Sequence, residues 1–99
     1  MKMISFVNPK GGAGKTTSAI NIAYALKNKD KKVLLIDTDP RGAVATYLNI
    51  HNENTILQLI KEIYDNFGII ENLGKYITTK NGVDVIISDS SMIDFDKIF

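Results

Sequence analysis

The chain has 99 residues, is 44% hydrophobic and 23% charged, and carries 12 Lys and Arg against 11 Asp and Glu. This composition describes one globular unit with a small core, and a net charge of +1 leaves only local patches for capturing nucleic acid or a membrane surface. The lack of cysteine excludes disulfide staples and thiolate metal sites and fits a reducing cytoplasm, and no apolar run approaches the ~20 residues of a membrane span.

The opening stretch MKMISFVNPKGG has neither the long apolar region nor the cleavage site of a signal peptide. Met3 to Val7 is instead a short apolar run that stops at Asn8-Pro9 and a group of glycines, as a buried strand entering a turn does. From Gly14 to about Lys27 a helix is predicted. Its apolar face is Ala19, Ile20, Ala23 and Leu26, widened by Ile22 and Ala25. It should end near KNKDKK, with Asn28 in the left-handed cap position and lysines at the negative end of the helix dipole. Val33 to Asp37 is a continuous apolar run of the kind covered on both faces in a parallel sheet, and it completes a βαβ unit.

Beyond Pro40, GAVATYL opens a short helix, and Thr55 to Phe67 forms an amphipathic one with Thr55 as N-cap. NLGKYITTKNG reads as loop with one short strand, and Val83 to Ile87 is a third apolar strand entered through an Asn81-Gly82 turn. There is no repeat, low-complexity tract or interdomain linker.

NPKGGAGKTT, Asn8 to Thr17, carries the chemistry. The usual phosphate-loop pattern G-x-x-x-x-G-K-[ST] is missed because Pro9 stands at its first glycine, yet K-G-G-A-G-K-T is complete. Gly11, Gly12 and Gly14 let successive backbone N–H groups turn toward an anion without Cβ clashes, and the helix that follows adds its N-terminal dipole. Lys15 supplies a full charge to the β- and γ-phosphates, Thr16 a hydroxyl to Mg²⁺, and Thr17 a further donor. The alternative is a glycine-rich turn capping an ordinary helix, but the loop sits between a strand and a helix, as phosphate binding requires. DTDPRG then places Asp37 and Asp39 at the end of the second strand, where a doubly wound sheet has its ligand crevice. Asp37 is expected to hold a Mg²⁺-bound water and Asp39 to position or deprotonate the attacking water; the structural alternative is an Asx turn closing the strand.

With these residues in view, ISFVNPKGGAGKTTSAINIAYAL, KKVLLIDTDP and GAVATYL resemble the ParA/MinD group of deviant-Walker ATPases, closest to ParA-type partition ATPases. The resemblance runs closely from Met1 to about Leu48. It implies an α/β fold of the P-loop NTPase kind: a doubly wound, mostly parallel sheet, incomplete here at about three strands with flanking helices. It also implies that Lys10 reaches the phosphates held by a partner subunit. Lys10, Gly11, Gly12, Ala13, Gly14, Lys15, Thr16 and Thr17 cradle ATP, Thr16 binds Mg²⁺, and Asp39 supports water attack. Lys10, Lys15 and Asp39 are the implied catalytic set. Implied partners are a second copy on ATP binding, non-specific DNA and a ParB-like protein, all in the cytoplasm.

Arg41 departs from that pattern, which has Gln after D-x-D-P; related bacterial tyrosine kinases carry Arg there but lack the K-G-G opening. In the second half, VDVIISDSS aligns either with a peripheral strand that precedes the Walker B strand or with the Walker B strand itself, which would make Asp89 the Mg²⁺-associated carboxylate. The first alignment is preferred because Ser88 breaks the apolar run before Asp89. On either alignment residues 1–99 represent the N-terminal portion of one nucleotide-binding domain, a truncated frame or a fragment. The isolated chain is expected to be marginally stable and a poor ATPase. A non-enzymatic nucleotide-binding remnant and a MinD-like positioning ATPase are the competing readings. His51, the one histidine, and the Lys27, Lys29, Lys31, Lys32 cluster read as surface residues.

Overall fold

The computed structural model describes residues 13–94. Within that range the order is α1 (Ala13–Lys27), β1 (Leu34–Ile36), α2 (Ala43–Leu48), α3 (Ile56–Asp65), β2 (Thr78–Lys80) and β3 (Val83–Ile86), with 3-10 turns at Leu73–Tyr76 and Ser90–Asp94. The strand predicted at Met3 to Val7 lies outside the described residues.

The three strands form one sheet in the order β1-β3-β2. β1 and β3 run parallel with Leu35 opposite Val85. The ladder extends past β1 at both ends: Asp84 N–H donates to Val33 at 3.2 Å and Asp37 N–H donates to Ile86 at 3.0 Å, so hydrogen bonding covers the whole predicted span from Val33 to Asp37. β2 is antiparallel to β3. Among the described residues the sheet is thus mixed, with one parallel and one antiparallel pair, within the expected α/β fold of about three strands with flanking helices. The cause is local: Asn81 (φ 51°) and Gly82 (φ 86°) both take positive φ, the tight two-residue turn whose twist suits a hairpin, and it folds Thr78–Lys80 back on β3.

Alternation along the strands sorts the core into two layers. Leu35, Val83 and Val85 face α1 and pack on Ala19, Ile20 and Ala23, joined by Val33, Val44 and Ile87. Leu34 and Ile86 face the other way and pack on Ile56 and Leu59 of α3 and on Tyr76. Helices thus cover both faces, which is why β1 and β3 read as nearly unbroken apolar runs. Two details of α1 differ from expectation. Ile22 and Ala25 are exposed and do not widen the buried face; Tyr24 and Leu26 flank it instead. The left-handed residue after α1 is Asp30 (φ 60°) and not Asn28, because helical bonding continues through Asn28 N–H to Tyr24 at 3.0 Å. Lys31 N–H then donates to Leu26 at 3.2 Å and Asp30 N–H to Lys27 at 3.0 Å, the paired closure of a Schellman end.

Thr55 is the N-cap of α3, as its sequence position implied. Its N–H donates to the Gln58 side chain at 3.1 Å, and Ile56 N–H donates to Ile87 at 2.9 Å, which ties the helix start to the end of β3. Among the described residues no helix is long and apolar enough to cross a membrane.

Candidate nucleotide and hydrolysis site

Of the loop residues, Ala13, Gly14, Lys15, Thr16 and Thr17 open α1, with no acidic residue in its first turn. The first N–H groups of a helix have no partner within it, and no carboxylate in the first turn of α1 competes for them. Lys10, Gly11 and Gly12 lie outside the described residues. α1 packs on α2, β1 and β3, so the helix that begins at the loop is seated over the strands whose carboxyl ends carry the acidic residues.

The loop after β1 is built by its own carboxylates. Asp37 is buried; its Oδ1 accepts Asp39 N–H at 2.9 Å and its Oδ2 accepts Val44 N–H at 3.3 Å. The first bond is an Asx turn, and the second satisfies an N–H in the first turn of α2. The Asx turn that was the structural alternative for DTDP is therefore present, and Asp37 still retains part of its acceptor capacity. Burial pushes its carboxyl above the usual range, and the two backbone bonds pull against that rise.

Asp39 is held differently. Arg41 N–H and Nε each approach Asp39 Oδ1 at 3.1 Å, Nε also approaches Oδ2 at 3.0 Å, and Nη2 donates to Oδ2 at 2.7 Å. The Asp39 side chain is 3% exposed and that of Arg41 61%. Hydrogen bonding from the guanidinium holds the Asp39 carboxyl below the usual range.

Gly42, which the sequence reading passed over, closes this loop. Its N–H donates to Asp39 at 3.0 Å, completing a turn with Pro40 second and Gly42 fourth. Its φ is +64°, and a Cβ there would stand 2.9 Å from the Ser88 carbonyl oxygen. The signal was present as the glycine that follows D-P-R, but contact with a loop 46 residues away leaves no mark on local sequence. Through it the loops after β1 and β3 meet, and Arg41, Gly42, Ser88 and Asp89 line a cleft of about 420 Å³.

Asp89 is exposed at the mouth of that cleft and accepts the N–H of Ser91 at 3.0 Å and the Ser91 hydroxyl. His51 is an exposed residue on the rim. No group of three or more His, Cys, Asp or Glu placed to hold a metal exists among the described residues. A Mg²⁺ ion keeps most of its waters and takes its remaining ligands from a hydroxyl, one or two carboxylates and substrate phosphates, so Asp37, with free lone pairs, fits a contact through water. Asp39, with its oxygens engaged by Arg41, does not fit one in this arrangement.

A parallel β1–β3 pair covered by helices on both faces, with a glycine loop opening α1, defines an α/β protein of the P-loop type. Two solved structures share the fold. Protein DIP2308 from Corynebacterium diphtheriae superposes with a TM-score of 0.71 at 24% identity over 99% of this chain and 38% of its own. Cobyrinic acid a,c-diamide synthase from Mycobacterium smegmatis, with bound ADP and magnesium, gives 0.72 at 21% identity over 98% and 38%. The family described as AAA domain matches residues 1–99, and the chain belongs to it, in the ParA/MinD-type branch. The chromosome partitioning protein ParA of Caulobacter vibrioides is 35% identical over 93% of this chain and 34% of its own length. The chromosome-partitioning ATPase Soj of Treponema pallidum is 46% identical over 60% and 23%, and the sporulation initiation inhibitor protein Soj of Bacillus subtilis 34% identical over 86% and 33%. The chain spans about a third of the length of the Caulobacter vibrioides ParA and of the Bacillus subtilis Soj.

Proposed function

We propose that residues 1–99 are the N-terminal portion of a single nucleotide-binding domain that acts as an ATP-binding and hydrolysing switch of the ParA type, used in DNA partitioning through ATP-dependent dimerisation. One observation carries the reading: K-G-G-A-G-K-T-T runs into the start of α1, and the next strand, β1, delivers Asp37 and Asp39 at its carboxyl end. The names of the ParA and Soj relatives support the biological setting. In this reading Lys15 and the α1 N–H groups hold the β- and γ-phosphates, and Lys10 reaches toward nucleotide on the partner subunit. Thr16 and, through water, Asp37 hold Mg²⁺, which when bound neutralises charge on the transferred phosphoryl group. Asp39 orients the attacking water, so that the chain's share of catalysis is positioning and charge complementarity. DNA and a ParB-like protein are the proposed partners of the closed dimer, in the cytoplasm.

Asp89 is left out of the metal site in this reading. The reason is in the sequence, where Ser88 interrupts the apolar run expected directly before a Walker B aspartate. Oδ1 of Asp89 accepts both the N–H and the hydroxyl of Ser91. Titration calorimetry with Mg·ATP tests the assignment. Lys15→Ala should weaken binding ~10-fold or more, the worth of one charge-assisted contact to phosphate. Unchanged binding would remove the loop from the site.

A further inference from the structure

Asp39 is the residue proposed to orient water, yet its carboxylate has little acceptor capacity left for one. A carboxylate offers about four lone-pair positions, and three donors of Arg41 engage both oxygens: the backbone N–H on Oδ1, Nη2 on Oδ2, and the single Nε–H shared between the two. At 3% exposure the side chain also has almost no surface on which a water could sit. The clamp favours its closed form because opening it would leave Asp39 as a nearly buried, unpaired charge.

We propose that Arg41 is an autoinhibitory positioning residue: it occupies both oxygens of Asp39 and holds the chain in a resting state in which that carboxylate cannot take a water. The proposal rests on the assignment of Asp39 to water orientation. It also gives the replacement of Gln by Arg after D-x-D-P a physical meaning. A Gln amide carries no charge and no planar fork, so it would hold the Asp39 carboxylate less completely than the guanidinium, which engages both oxygens. Lys in the same place is a compact charge without the fork and should hold the carboxylate less completely.

Two measurements on the 99-residue chain test this. The first needs no turnover: in nitrogen-15 spectra at neutral pH, the Arg41 Nε–H should exchange slowly with water, and Asp39→Asn should speed that exchange by about tenfold or more, as expected when a charge-assisted bond is lost. Free-guanidinium exchange in the unmodified chain would overturn the clamp. The second compares hydrolysis of radiolabelled ATP with Mg·ATP affinity in Arg41→Gln, Arg41→Lys and the double variant Arg41→Gln/Asp39→Asn. Arg41→Gln should raise kcat about tenfold with affinity held within about twofold, inside the hundredfold or greater contribution of a positioned base, and Arg41→Lys should fall between. The double variant should lose the gain. If Arg41→Gln binds Mg·ATP but turns over no faster than the unmodified chain, the clamp is wrong while the nucleotide site stands. If the double variant keeps the gain, or if no Mg·ATP binds, the underlying assignment fails and the clamp with it.

Discussion

Asp37 and Asp39 stand two residues apart and carry opposite electrostatic burdens. Burial raises the Asp37 carboxyl, and the Arg41 guanidinium lowers that of Asp39. A carboxyl lowered in the folded state stabilises the fold above the ordinary carboxylate range and loses that contribution as pH falls through its folded value; a raised one does the reverse. The Asp39–Arg41 pair should therefore make the unmodified chain more resistant to urea than Arg41→Gln at pH 7, with the difference closing in strong acid. Midpoints measured across pH check this, and a constant difference would mean the pair does not act through Asp39 ionisation. Gly42 gives a second residue-scale prediction. Gly42→Ala places a Cβ at φ +64°, strained by about 1–2 kcal/mol for an L-residue, and 2.9 Å from the Ser88 carbonyl, where only backbone can yield. A loss of roughly 2 kcal/mol or more in urea unfolding is expected; a neutral outcome would show that the two loops part freely.

At the scale of elements, the C-terminal end of α1 and the hairpin turn use the same device with different residues. Gly82 can take positive φ without cost, while Asp30 takes it as a non-glycine residue and adds a negative charge near the negative end of the helix dipole. Asp30→Gly should therefore stabilise the chain by about 0.5–1 kcal/mol, read as an upward shift of the urea midpoint at neutral pH. α1 and the hairpin are also tied directly, by the Tyr24 hydroxyl donating to Lys80 at 2.8 Å. Apolar spacing found α1, β1, α3 and β3 because each has a buried side with a definite period: Ala19, Ile20 and Ala23 on α1, and Ile56, Leu57 and Leu59 on α3. It misplaced Ile22 and Ala25, since periodicity gives the direction of a face and not the width of what covers it. The cap moved from Asn28 to Asp30 because propensity names the residue that tolerates positive φ best, while the length of the helix decides which residue must adopt it.

Across the whole molecule, α1 on one face of the sheet and α3 on the other leave the carboxyl ends of β1 and β3 free to carry loops, and the candidate chemistry gathers there. Ligand held at that end bears on elements from both layers, so binding should report as stability. At a hundredfold excess of Mg·ATP over its dissociation constant the folded state gains about 2.7 kcal/mol, so the thermal midpoint should rise with nucleotide in the unmodified chain and stay flat in Lys15→Ala. A rise of equal size in both would place the nucleotide elsewhere.

The sequence by itself determined the helix and strand that follow the glycine-rich stretch, and the family, because these depend on residue types at fixed short spacings, where backbone freedom, charge and period are local properties. It also marked Arg41 as unusual without saying what the side chain does. Only the tertiary structure decided that the sheet is mixed among the described residues, that Gly42 meets Ser88, and that Arg41 engages both oxygens of Asp39. The first two depend on which segments far apart in the chain become neighbours, and the third on the orientation of a guanidinium fork against a buried carboxylate, none of which spacing encodes.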